Sequence, residues 1–254
     1  MRNKLTILLR RLTRHGLLGS LKLIPINIRW AWRQLKPSSL TERRRERALD
    51  RQFGIDTAGN MTKGALQAET GTAGEITFYQ PVPLRIFDEM VACLPTDLSS
   101  FCFIDIGSGK GRALVLAARL GFNEIIGVEF SPTLHRTAEK NLVRLRSSTS
   151  TIIHNLNVDA LSFEFPTIPT VVFFGNPFGD TMTRQVIQNI ERAHLNSNFP
   201  VFFLYHWPAH KHALEERGTW QEIGRGAWRK DFGFEWRDYA LVTGQRHSQN
   251  ASAD

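Results

Sequence analysis

The chain has 254 residues, 42% hydrophobic and 22% charged, enough to bury one sizeable α/β core behind an extension, and it contains no run of 18 apolar residues that reads as a membrane-spanning helix. Both cysteines, Cys93 and Cys102, fall in apolar segments and read as buried free thiols of a reducing compartment rather than as a disulfide or metal pair. The net charge of +8 is uneven: residues 1–47 hold 13 Lys/Arg against Glu42 and Glu46, a balance of +11, which leaves −3 for the remainder and weakens any basic-protein argument for nucleic-acid substrates.

Residues 1–36 mix apolar and basic side chains. Leu5, Leu8, Leu9 and Leu12 fall at helical spacing, with Arg10, Arg11 and Arg14 largely off that stripe. The apolar core Leu5–Leu9 is too short and too closely flanked by charge for a secretory signal. With Trp30 and Trp32, the arm suits an anionic membrane surface, a helical cover with solvated arginines, or a nucleic-acid contact; an organelle transit peptide is a weaker fit. Pro37 breaks the pattern, and Ser39 with Glu42 forms a capping box opening a charged helix to about Gln52. Phe53–Gly59 carries loop and turn chemistry with no evident role, and 60–76 reads as a loop or linker. Leu84, Phe87, Met90, Val91 and Leu94 then mark a helix ending at Pro95.

Phe101–Glu129 is the stretch around which the chain is organised. Phe101–Ile106 is an almost continuous apolar run, the pattern of a strand buried on both faces. Gly107, Gly109 and Gly111 follow at alternate positions, and Lys110–Leu120 spaces Ala113, Leu114, Leu116, Ala117 and Leu120 along a helical stripe before Gly121. Ile125–Phe130 is the next strand, with Glu129 near its end. Strand, glycine turn, helix and strand make half of a doubly wound nucleotide fold. A dinucleotide fingerprint needs a third small residue, but Arg112 stands there. Asp105, just before the turn, disfavours an added pyrophosphate and suits a cationic ligand.

Beyond Glu129, Ser131 and Pro132 start a helix running to about Arg146. Strands follow at Thr151–Asn155, Thr170–Gly175 and Pro200–Tyr205, with a helix between the last two capped by Asp180 and facing inward through Val186, Ile187, Ile190 and Ala193. His206, His210 and His212 invite a metal reading by spacing, but no Cys or acid from a neighbouring strand joins them, so no metal is assigned. Short strands at Trp220–Ile223 and Tyr239–Val242 flank a Gly/Arg/Trp-rich connection, and 245–254 reads as a frayed tail.

Asp105, Gly107, Gly109 and Gly111 together resemble motif I, D/E-x-G-x-G-x-G, of the class I S-adenosylmethionine-dependent methyltransferases. The resemblance implies a doubly wound, mostly parallel seven-stranded sheet over 75–244, with its last strand antiparallel, behind a basic helical extension and linker at 1–74. It implies that the glycine loop wraps the methionine end of the cofactor, that Glu129 holds the ribose hydroxyls, and that Asp159 and Ala160 stand where the adenine is read. Tyr79 lies where family members place an aromatic loop that closes over the cofactor. Asn176-Pro177-Phe178 resembles motif IV, whose Asn accepts hydrogen bonds from a target nitrogen while the aromatic ring stacks; here one proline replaces two. Asn176 and Tyr79 are thus candidate catalytic residues, and Phe178 and His206 candidate substrate contacts.

Transfer of a methyl group from S-adenosylmethionine is the expected function, with a protein side-chain nitrogen or a small metabolite favoured as acceptor and an RNA base also open. The similarity is strongest to small bacterial methyltransferases, which implies a cytoplasmic setting, with residues 1–36 making any peripheral contact with an anionic membrane. The rival reading is a catalytically silent scaffold of this fold that binds a partner or a membrane surface through its basic arm.

Overall fold

The computed structural model describes residues 37–71, 75–146, 149–228 and 234–242. The expectations for the arm at 1–36 and the tail at 245–254 lie outside them. The chain divides into two units, Met1–Leu49 and Asp50–Asp254. A helix, α1, runs Pro37–Phe53, beginning at the breaking proline itself.

The second unit is built on one seven-stranded sheet. Its centre is β1 (Cys102–Ile106) and β4 (Thr170–Phe174), buried at every position. Uninterrupted apolar runs make such strands because both faces are covered. Outward from this pair lie β2 (Glu124–Val128), β3 (Ile152–Leu156) and β5 (Val201–His206), all parallel. Beyond β5, β7 (Phe234–Leu241) runs antiparallel and pairs with β6 (Trp220–Trp228), giving the order β3-β2-β1-β4-β5-β7-β6. These two closing strands are longer than their sequence signal, because Gly224 and Gly226 sit inside β6 and interrupt its apolar pattern. A register shift between Glu222 and Gly224 accommodates them.

Side chains alternate across the sheet. One face, through Cys102, Ile104 and Ile106, packs on Val186, Ile187 and Ile190 of α6 (Asp180–His194) and on the short α7 (His212–Glu215). The other carries Phe103 and Phe173, whose rings meet Phe87 of α3 (Leu84–Val91) at 6.0 and 5.8 Å. Asp105 shares that second face. The helix after the glycine turn, α4, covers only Arg112–Ala117, shorter than its apolar stripe, and α5 runs Pro132–Arg146.

Two expectations need correction. The segment 60–76 is not all loop: α2 (Lys63–Thr70) lies within it, with Thr62 accepting from the Ala65 amide at its start and a left-handed Gly71 at its end. Its two turns were hidden because glycine and threonine dilute the helical stripe. Asp180 is also not the cap of α6 but its first residue. Glu75, distant in sequence, takes the capping role: its side chain accepts from the Met182 amide at 3.2 Å and its carbonyl from Gly179 at 2.6 Å.

Candidate active site

The carboxyl ends of the parallel strands frame a cavity of about 180 Å³. Its floor is the turn leaving β1. Gly107 and Gly109 hold φ of +78° and +58°, which L side chains rarely adopt. Any side chain there would also collide, at Gly107 with Pro177 and at Gly109 with the Tyr79 ring. The two motifs therefore touch: the glycine turn after β1 lies directly against the turn after β4.

Glu129 closes one side of the turn. Its two oxygens accept from the Gly109 and Ser131 amides, each at 2.7 Å. Burial raises its pKa to about 6 against the opposing pull of those amides. Asp105, 3% exposed, is held well above the usual carboxylate range by burial and then by Glu129. Asp159 anchors its own turn, accepting from the Leu161 amide at 2.9 Å, and the buried Ala160 follows it.

A strap crosses the opening. Thr77 donates from its amide to the Pro177 carbonyl at 2.9 Å and from its hydroxyl to the Asn176 carbonyl at 2.8 Å, while Ile76 bridges Phe178. Two residues on, Tyr79 bridges Met61 and its hydroxyl donates to the Thr57 carbonyl at 2.7 Å, which lays the ring over Gly109. Helix α2 forms another wall: Leu66 and Thr70 face the cavity, and Glu69 accepts from the Ser131 hydroxyl and the Thr133 amide at 2.9 and 2.7 Å.

Of the residues singled out from sequence, Asp105, Gly107, Glu129, Asp159 and Ala160 line this one cavity. So do Tyr79, Phe178 and His206. Gly109 and Gly111 shape the turn without facing the hollow. Asn176 does not line it either. It sits at φ +55° at the end of β4, and its side-chain oxygen accepts from the Tyr205 hydroxyl at 3.0 Å. His206 is 3% exposed, and burial lowers its pKa to about 4, so its imidazole is neutral near pH 7. His210 and His212 turn instead to Asp180, at 3.8 and 2.7 Å.

Sequence reasoning missed the network beneath the floor. Asp50 accepts from the Thr57 amide at 2.9 Å, the Thr57 hydroxyl at 2.6 Å and the Ala58 amide at 2.7 Å. Arg112 donates from Nε to Thr57 Oγ1 and from Nη2 to Asp50 Oδ1 at 3.2 Å. Asn141 of α5 ties the Asp56 carbonyl to that of Lys110, at 3.0 and 2.9 Å. Phe53–Gly59 is therefore the brace behind the glycine turn. Its cluster of Asp, Thr and Gly was the visible signal; Asp50, lost among the charges of α1, was not.

No family model matches the sequence, and no curated protein matches it. Solved structures do. The (4+2)-cyclase SpnF superposes with a TM-score of 0.50 at 12% identity, over 64% of this chain and 82% of that one. A ribosomal protein L11 methylase from Lactobacillus delbrueckii subsp. bulgaricus gives 0.47 at 14% identity, over 62% and 77%. An RNA methyltransferase from Salinibacter ruber, in complex with S-adenosyl-L-homocysteine, gives 0.46 at 16% identity, over 64% and 94%. This is the class I methyltransferase fold. At these identities the likeness concerns architecture alone, and a cyclase among the neighbours shows that the architecture does not dictate one reaction.

Open doubly wound sheets take their ligands where the strands end, and the acidic lining there suits a cationic one. Three carboxylates face the cavity, the turn has no Cβ where a ligand must approach the main chain, and Phe130, Val158 and Ala160 offer an apolar slot beside Asp159.

Proposed function

We propose that this chain transfers a methyl group from S-adenosylmethionine to a nucleophilic acceptor, with a protein side-chain nitrogen or a small metabolite favoured. The observation that carries the reading is the convergence of Asp105, Glu129 and Asp159 on one hollow whose floor is the side-chain-free turn at Gly107. Bound there, the cofactor would supply an electrophilic methyl on sulfur. Glu129 would grip its sugar, Asp105 its ammonium group, and Asp159 with Ala160 its base. Tyr79 and the strap would exclude water and fix the line between acceptor and methyl, which is where most of the rate of a direct displacement arises. His206, uncharged, would meet the acceptor as a hydrogen-bond partner. The negative balance outside the arm favours a protein or metabolite over RNA, whose phosphates require Lys/Arg contacts.

Calorimetry with S-adenosylmethionine tests the cofactor, and tritiated-methyl labelling of a cell lysate, split into protein, RNA and small-molecule fractions, tests the acceptor. The wild type should bind, and Glu129→Ala should lose about 1–3 kcal/mol, the worth of a charge-assisted hydrogen bond. A silent scaffold would bind the cofactor in neither form.

A further inference from the structure

The turn after β4 has its acceptor oxygens engaged from within the chain. Thr77 donates to the carbonyls of both Asn176 and Pro177, at 2.8 and 2.9 Å, and the Tyr205 hydroxyl donates to the Asn176 side-chain oxygen at 3.0 Å. Such oxygens matter most for one kind of methyl acceptor. An amide or ring-bound amino nitrogen delocalises its lone pair, and becomes nucleophilic when acceptors draw on its N–H groups. An alkylamine needs no such grip, because its lone pair is localised and reactive once the ammonium has lost a proton. The rim of the cavity carries a feature that suits it. Among the described residues, three large apolar side chains line the cavity and stay exposed: Phe130 and Val158 beside Asp159, and Phe78 apart from them on the strap. The Phe78 ring meets that of Trp207 at 5.5 Å, 74° between planes, and Trp207 directly follows the cavity-lining His206. Both rings are held in place. Phe78 lies between the anchored Thr77 and Tyr79, and Trp207, at φ +57°, donates its amide to the Glu235 carbonyl at 2.8 Å.

We propose that the methyl acceptor is the amine of a protein lysine, its stem laid against the corner formed by Phe78 and Trp207. The inference rests on the methyl-transfer reading above and narrows its acceptor class. The edge-to-face contact closes the space between the two rings, so no base is sandwiched there. The ring surface left outside suits a slender aliphatic stem and the ammonium it carries. The negative balance of the chain outside its arm adds attraction for a cationic segment. Against apolar surface the amine loses hydration, which lowers its pKa from about 10.4 and lets the proton pass to solvent without a strong base in the site. The freed lone pair forms the N–C bond as the C–S bond breaks. The electrons of that bond stay on sulfur, and the positive charge passes to the methylated nitrogen.

The experiment identifies the labelled atom. Methyl-tritiated S-adenosylmethionine is incubated with a cell lysate and the full-length wild type, Phe78→Ala or Phe78→Tyr, and the protein fraction is hydrolysed in acid. Methyllysine survives that treatment, whereas methylated amides release methylamine and methyl esters release methanol. With the wild type, label above that of lysate alone is expected as methyllysine. Phe78 is 42% exposed, so its replacement leaves the core intact. Phe78→Ala should lower the methyllysine label at least about tenfold while calorimetric affinity for S-adenosylmethionine stays within about twofold. Phe78→Tyr, which keeps the ring, should recover most of the loss. Label released as methylamine or methanol overturns the assignment, as does label confined to the RNA or small-molecule fraction. So does a wild type that binds the cofactor and labels no protein, or undiminished methyllysine with Phe78→Ala. A parallel fall in cofactor affinity also overturns it, because Phe78 would then serve the cofactor. If the wild type binds no S-adenosylmethionine at all, the cofactor reading itself fails.

Discussion

Glu129 shows how one buried carboxyl can couple binding to pH. The form that accepts hydrogen bonds from sugar hydroxyls is the carboxylate, yet burial raises its pKa to about 6. Below that value a proton must leave before the ligand can be gripped. Affinity for S-adenosylmethionine should therefore rise from pH 5 to pH 7, with a slope of at most about one decade per pH unit for one proton, and then level. Asp105, also raised, is drawn toward ionisation by the same cationic ligand. Binding at pH 6 should release protons, detectable as a dependence of the calorimetric heat on the buffer's ionisation enthalpy. Glu129→Gln should flatten the lower limb of the profile. A profile unchanged by that substitution would remove Glu129 from the ligand's first contacts.

Among the elements, α6 and β6 are joined by a single buried acid. Glu191, 4% exposed, accepts from Thr219 at 2.6 Å, from Trp220 Nε1 at 3.0 Å, and from Arg217 at 2.7 Å. Replacing it by alanine leaves the buried Trp220 Nε1 and the half-buried Arg217 and Thr219 without this partner, for which about 1–3 kcal/mol is expected in chemical denaturation. Glu191→Gln, which retains one acceptor oxygen, should cost less. Nothing in the sequence marks this residue, because the helical stripe of α6 places it beside Ile190 as an ordinary polar position. The contrast with β1 and its turn is instructive. There the apolar run, the three glycines and the acid at the end of the neighbouring strand are local patterns, so strand, turn and the carboxyl beside it could all be read in advance. Glu191, Glu75 and Asp50 each reach a partner distant in sequence, Arg217 at 26 residues, Met182 at 107 and Arg112 at 62. Only the folded sheet brings those partners near. Asn176 follows β4 where its local motif places it, but the Tyr205 hydroxyl that donates to its side-chain oxygen comes from the next strand, a contact no local pattern shows.

Across the whole molecule, buried ionisable groups set opposing pH limits on stability. Asp238 of β7 is fully buried beside the Cys93 thiol, and burial raises its pKa to about 8 from a usual 3.8. A raised acid contributes stability that is complete below the unfolded value and is lost as pH climbs through the folded one. From pH 4 to pH 8, Asp238 therefore makes folding progressively less favourable. His206 acts in the other direction: lowered to about 4 from 6.5, it contributes fully above 6.5 and loses that contribution as pH falls toward 4. His194, buried at the end of α6, is shifted the same way by burial. The histidines oppose the acid below 6.5, and above it the slopes of Asp238 and of the likewise raised Asp105 remain. Thermal stability should thus decline between pH 6.5 and 8. Asp238→Asn, similar in shape and unable to ionise, should remove the Asp238 share of that decline, so that the difference in Tm between variant and wild type changes steadily with pH. A constant difference from pH 5 to pH 8 would mean that Asp238 does not ionise differently in the folded and unfolded chains.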